Sequence, residues 1–355
     1  MKKLLTLIIT GALLVQAALL SGCTEPAPVE TPDDEISGAQ TGTETETYPE
    51  APEAVLTPED TRIDMNVGGK DISYAELRYY ILNLKTQYGG TNQQLWIDES
   101  VNLIRENAAM ESLAAAKNVT VSGDAKEGYD KSFNEFYATC ESLYGQPYSE
   151  LVASVNCTDS LFRELNDTMF LINYLYDEAY YKNADTLVSE EQLLDYVKEN
   201  YVRVKHILVK TEGLDDAQKA EARTRADAIL SDAKNGASFE ALVSEYSEDG
   251  MDVDLGYYFT FGEMVSEFET ASFALEIGEV SELVESTYGY HIIKRYEMEK
   301  DHILADEKIN ESAAYAITSA LFREDVEKEE ANIAVTYTEE YEAALAEILA
   351  ETAAE

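Results

Sequence analysis

Basic residues, histidine and cysteine are scarce in this chain, and proline is almost absent from its folded part. Against 70 Asp and Glu stand 26 Lys and Arg, a formal charge of −44 over 355 residues. That balance excludes nucleic acid as a partner, because a polyanion would repel the chain rather than release counterions to it. It does not indicate calcium either, since no stretch has the D-x-[DN]-x-[DN]-G spacing of a calcium loop. The cysteines are Cys23, Cys140 and Cys157, with no histidine near the last two. Nothing therefore indicates a metal site, and no cofactor is expected. Only one long apolar run exists, and it lies at the N-terminus.

Lys2 and Lys3 precede an apolar run from Leu4 to Leu20, which leads into Leu20-Ser21-Gly22-Cys23. A charged start, an apolar middle and small residues before a break make a secretory signal over 1–22. The ending resembles a bacterial lipobox, whose cysteine becomes the lipidated first residue of the mature protein. That resemblance implies lipidation of Cys23 and a lipid-anchored place on the extracytoplasmic face of the cell membrane. An uncleaved membrane helix fits less well, because the span carries Thr6, Thr10 and Gln16. Outside the cytoplasm Cys140 and Cys157 can form a disulfide; two buried free thiols are an equal alternative.

Residues 23–61 read as a disordered acidic tether. Between Thr24 and Asp60 there are eleven acidic residues, no Lys or Arg, and six of the seven prolines. Such a segment buries too little apolar surface to offset its ordering entropy, so it is expected to stay extended and mobile. Residues 62–199 then read as a helical segment. MNVGGKDIS predicts a hairpin turning on Gly68-Gly69, and Ser73 with Glu76 predicts a capping box. Leu77, Tyr80, Ile81 and Leu84 give one apolar helix face. Further helices are expected near 94–116, 124–144, 147–155, 158–183 and 189–200.

From residue 200 to 298 the pattern changes to α+β. Val202, Val204, His206 and Leu208 alternate along a strand. Helices are expected at 215–234, 238–246 and 264–275, and closing strands at 279–286 and 290–297. Residues 299–355 read as a helical tail that packs back on the N-terminal helical segment. Two of the chain's three histidines, His206 and His291, sit in nearly the same context, H-I-L and H-I-I.

The block is similar to the parvulins, a family of peptidyl-prolyl cis/trans isomerases. KHILVK, FEALVSEYSED, DLGYY, GEMVSEFETASFALEIGEVSELV and TYGYHIIKR occur in the family's order. With the lipobox and the helical flanks, the chain resembles the PrsA-type foldase lipoproteins and, more loosely, SurA-type chaperones. The resemblance implies a multidomain fold, a mostly α-helical chaperone body with an inserted α+β parvulin domain. It implies His206 and His291 side by side under an active site, and Asp249 beside the reacting amide. Ser286 would bond the histidine pair, and Tyr288 would be a nearby polar group. Leu255, Met264 and Phe268 would form the proline-ring pocket.

Two departures stand out. The loop after Asp249 is shorter than in the family, and Thr211 to Asp216 is acidic where phosphate-directed parvulins are basic. The expected partners are unfolded or folding secreted polypeptides and X–Pro peptides, and a homodimer is left open. The alternative is a non-catalytic holdase whose parvulin domain only binds extended chains.

Overall fold

A computed structural model describes residues 48–353. The expected signal at 1–22, the lipidation site Cys23 and most of the tether lie outside the described residues. The protein is mostly α-helical and multidomain, with an α+β domain inserted in a helical body. Its chain divides into two units, with boundaries after Lys182 and after Ser319. Among the described residues no helix is long and apolar enough to cross a membrane.

The first unit joins the two ends of the chain. After a short helix α1 (Pro58–Thr61) come strands β1 (Ile63–Val67) and β2 (Lys70–Ser73). Helices α2 (Tyr74–Tyr88), α3 (Gln93–Ala116), α4 (Gly123–Tyr144), α5 (Tyr148–Ser154) and α6 (Asp159–Ala179) follow. From the far end of the chain come β7 (Val335–Tyr337) and α14 (Tyr341–Ala353). The sheet order is β2-β1-β7, with both neighbours antiparallel to β1. Tyr341, Ala344, Leu345 and Ile348 recur at helical spacing on α14 and are buried with Leu77, Ile81 and Leu84 of α2. The tail read as wholly helical thus contains a strand. Three residues carry little period-2 signal, and β7 exists because β1 offers it an edge.

The tether reading also needs correction at its C-terminal end. Ala51 N–H donates to Asn134 Oδ1 at 2.8 Å, and Thr57 with Asp60 forms a capping box for α1. Thr158 Oγ1 also bonds the Asp60 carboxylate. Two acidic residues in a first helical turn are favoured by the helix dipole, so part of the acidic run becomes docked structure. Cys140 and Cys157 are free buried thiols in one apolar cluster with Phe133, Phe136 and Phe162, not a disulfide.

The second unit opens with a 3-10 turn (Tyr181–Asn183) at the boundary, α7 (Ala184–Leu187) and α8 (Glu190–Asn200). Ser189 and Gln192 form a capping box for α8. Then come β3 (Tyr201–Lys210), α9 (Asp216–Lys234), α10 (Phe239–Tyr246), β4 (Tyr257–Thr260) and α11 (Ser266–Ala274). The strands β5 (Val284–Glu285) and β6 (Gly289–Tyr296), then α12 (Lys300–Ala305), complete it. Helix α13 (Glu307–Glu330) crosses the second boundary. The division therefore falls outside 200 and 298, because Leu194 and Val197 of α8 share a core with Ile303, Ile309 and Ala313.

Its sheet has the order β4-β3-β6-β5, all antiparallel. Central β3 is buried on both faces from Tyr201 to Val209. Val202 and Val204 meet Phe259, Phe268 and Ile293 on one face, while Ile207 and Val209 meet α9 and α10 on the other. The expected strand at 279–286 is mostly irregular. Only Val284–Glu285 is regular, with a lone bridge from Val280 to Lys294.

Candidate functional site

The site lies on the sheet face that α11 covers. His206 and His291 come from the neighbouring strands β3 and β6, where His206 pairs with Ile293 and His291 with Leu208. Their side chains share one face because the two positions differ by two residues in register. The Nδ1 atoms are 3.3 Å apart. His206 Nε2 lies 2.8 Å from Asp249 Oδ2, and His291 Nε2 lies 2.7 Å from Ser286 Oγ. Both rings are nearly enclosed, with 3% and 4% exposure.

One assignment of hydrogens satisfies every contact. An ionised Asp249 only accepts, so His206 carries its proton on Nε2 and presents Nδ1 as an acceptor. His291 must then donate from Nδ1, which leaves its Nε2 to accept from the Ser286 hydroxyl. Ser286 Oγ in turn accepts from the Tyr288 N–H at 3.1 Å. The chain of donors runs one way, from Tyr288 through Ser286, His291 and His206 to Asp249, with both rings neutral.

Electrostatics agrees with that assignment. Burial lowers His206, and the attraction of Asp249 only partly offsets it. Burial, and then the neighbouring His206, pushes His291 down to about 4. Burial alone would raise the Asp249 carboxyl; the bonds from His206 and Tyr257 outweigh it and hold Asp249 below its ordinary value.

The expected residues divide on inspection. Phe268 is buried edge-on to both imidazoles, with ring centroids 5.0 Å and 5.3 Å away. Met264 packs half-buried on the same cluster. Leu255 is half-buried but, among the described residues, stands outside that cluster. Its backbone is what is fixed: its N–H donates to Asp252 Oδ1 and its carbonyl accepts from Arg203 Nε. Tyr288 corrects the expectation of a polar side chain in the site. It occupies the tight turn into β6, so its ring points outward, 51% exposed, and its backbone N–H reaches the network.

Tyr257 was missed. Its hydroxyl donates to Asp249 Oδ2 at 2.8 Å, the oxygen that His206 also binds. The sequence reading places no element between 246 and 264, although the run Tyr257-Tyr258-Phe259-Thr260 is rich in strand-forming residues. Gly256 lets the chain reach that place. Its φ is +76°, and a Cβ there would stand 2.5 Å from the Val204 carbonyl oxygen. Gly289 does the same where β6 begins, since a Cβ there would lie 2.2 Å from the Val209 oxygen. No group of three or more metal-ligating side chains is found among the described residues.

Residues 191–299 match the family described as the PPIC-type PPIASE domain. Foldase protein PrsA 1 of Listeria monocytogenes is 36% identical over 203 residues, 56% of this chain and 63% of that protein. The match thus spans just under two thirds of that relative's length. Foldase protein PrsA 2 of Listeria innocua is 30% identical over 221 residues, 59% of this chain and 67% of that protein. Among solved structures, the parvulin NmPin of Nitrosopumilus maritimus is 40% identical over 28% of this chain and 97% of its own, with a TM-score of 0.22. The chain belongs to the family of PrsA-type foldases, and it carries their parvulin domain within 191–299.

Proposed function

We propose that this protein is an extracytoplasmic foldase. Its parvulin domain would isomerise X–Pro bonds in secreted polypeptides that have not yet folded, while lipid on Cys23 tethers it to the membrane. The observation that carries this reading is the closed, neutral relay from Ser286 to Asp249 beside Phe268.

Rotation about an X–Pro bond must lower a barrier of ~18–20 kcal/mol. No bond breaks, so neither nucleophile nor metal is needed. Twisting the amide ends its resonance, and the carbonyl oxygen sheds negative charge. A carboxylate kept ionised beside that carbonyl disfavours the planar state more than the twisted one. Asp249 supplies the charge, and His206 and Tyr257 hold its Oδ2. Phe268 and Met264 supply the apolar surface for the proline ring, and Ser286 and His291 fix the His206 tautomer.

Refolding of a secreted protein whose slow phase is proline-limited tests the reading, since that phase takes ~10–100 s uncatalysed. Catalytic amounts of the full chain should shorten it. If the protein suppresses aggregation yet leaves the slow phase unchanged, the holdase reading replaces this one.

A further inference from the structure

Arg203 lies buried on β3, 5% exposed. It stands an odd number of residues from His206, so the strand period turns it to the face opposite the relay. Burying a guanidinium is costly unless its donors are satisfied. Here Nε donates to the Leu255 carbonyl at 2.9 Å and Nη2 to the Asp254 carbonyl at 3.0 Å. Nη1 donates to the Glu297 carbonyl at 3.2 Å and to the Glu299 carboxylate. The rings of Tyr258 and Tyr296, its cross-strand partners on β4 and β6, lie 5.4 Å and 5.9 Å from the guanidinium carbon.

The two carbonyls held by Nε and Nη2 belong to the loop that joins Asp249 to Tyr257. Within that loop Asp252 Oδ1 accepts the N–H groups of Asp254 and Leu255 at 2.8 Å and 3.0 Å. Gly256 N–H donates to the Asp252 carbonyl at 2.8 Å. Residues 252–256 therefore form one knot, and Arg203 ties the knot to β3. The start of the loop is tied to the same strand. Glu248 N–H donates to the Leu208 carbonyl at 2.9 Å, and Ser247 Oγ accepts the Leu208 N–H at 3.2 Å. One strand thus fixes both ends of the loop and carries His206 between the two attachments. Glu299 joins a further segment to this arrangement. It caps α12, and its N–H donates to the Tyr258 hydroxyl at 3.2 Å.

We propose that Arg203 is a positioning residue for proline isomerisation, which holds Asp249 and Tyr257 in register through the loop between them and is itself oriented by Glu299. The proposal rests on the foldase reading and adds to it a residue that touches neither substrate nor relay. A planar guanidinium presents parallel N–H groups to two successive carbonyls. A lysine ammonium in that place keeps the charge but not the fork.

The test uses the full chain and Arg203→Lys, with two readouts: isomerisation of a short X–Pro peptide, and titration of the Asp249 carboxyl followed by carbon NMR. The variant should lower kcat/KM at pH 7 about fivefold, equivalent to ~1 kcal/mol of barrier. Its Asp249 carboxyl should titrate at higher pH than in the wild type, because the bond from Tyr257 is loosened. Glu299→Ala, at a side chain 61% exposed, should move both readouts the same way, with a rate loss of about twofold. A folded Arg203→Lys protein with the wild-type rate and the wild-type Asp249 titration overturns the proposal, since the arginine then serves the core alone. A lower rate with an unmoved Asp249 titration overturns it too, because the effect would not pass through the loop. Should Arg203→Lys fail to fold, Glu299→Ala decides, and no change in either readout overturns the proposal. A wild-type protein that does not speed the peptide removes the foldase reading, while a displaced Asp249 titration in Arg203→Lys would still support the hold of Arg203 on the loop.

Discussion

Asp249 Oδ2 takes two donors, His206 Nε2–H and the Tyr257 hydroxyl, each at 2.8 Å. The loop that follows Asp249 is short, and Tyr257 anchors from β4 a carboxylate that the loop alone would leave less constrained. Removing the hydroxyl costs a hydrogen bond to a charged group, a loss of ~1.5–3 kcal/mol in favourable cases. Tyr257→Phe keeps the ring packing, so the domain should stay folded. Its isomerisation rate at pH 7 should fall by roughly fivefold or more. The Asp249 carboxyl loses one of the bonds that lower it, so the acid limb of the pH–rate profile should move to higher pH. An unchanged limb would mean that Tyr257 only packs. The histidines set a second sign. Their folded pKa lies below the ordinary 6.5, so below that pH the unfolded chain binds more protons than the folded one. Stability of the domain should therefore fall as pH drops from 6.5 toward about 4.

Elements of the helical body carry the opposite sign. Glu76, at the start of α2, is buried, and burial pushes its carboxyl up to about 7 despite Lys70 on β2; Glu164 on α6 and Glu111 on α3 add to the rise. Lys70 Nζ is already shared by Glu111 at 3.3 Å and Glu164 at 3.0 Å. Between the ordinary 4.5 and about 7 the folded body holds more protons than the unfolded chain, so its stability should fall as pH rises through that window. Glu76→Gln should stabilise the body at pH 8 by ~1–3 kcal/mol and flatten this dependence, as read by thermal unfolding. No gain at pH 8 would contradict a buried charge there. Glu76 also shows what the sequence could and could not display. Ser73 does accept the Glu76 N–H, as the S-x-x-E spacing predicts. The reciprocal bond is not part of the cap, because tertiary packing turns that carboxylate toward Lys70. Long helices with clear apolar faces were legible, as were the two histidine strands, whose residues repeat a pattern. The strands β4 and β7 were not, because strands of four and three residues form only where a distant partner offers its edge. Tyr257 was missed together with β4.

On the scale of the whole molecule, β3 and β6 hold both histidines within one unit, which has cores of its own. The two ends of the chain meet in the other unit, where β7 pairs with β1. Cys23→Ala should release the protein from membranes or leave an unprocessed precursor; normal processing with full membrane retention would contradict lipid anchoring through that residue. The central claim is that the relay ending at Asp249 performs proline isomerisation, and exchange spectroscopy of a short X–Pro peptide tests it most directly. At pH 7 the full-length protein should speed cis/trans exchange well beyond solvent, and Asp249→Ala should lower that rate about tenfold or more while remaining folded. A folded wild-type protein that exchanges several X–Pro peptides no faster than buffer would contradict the account.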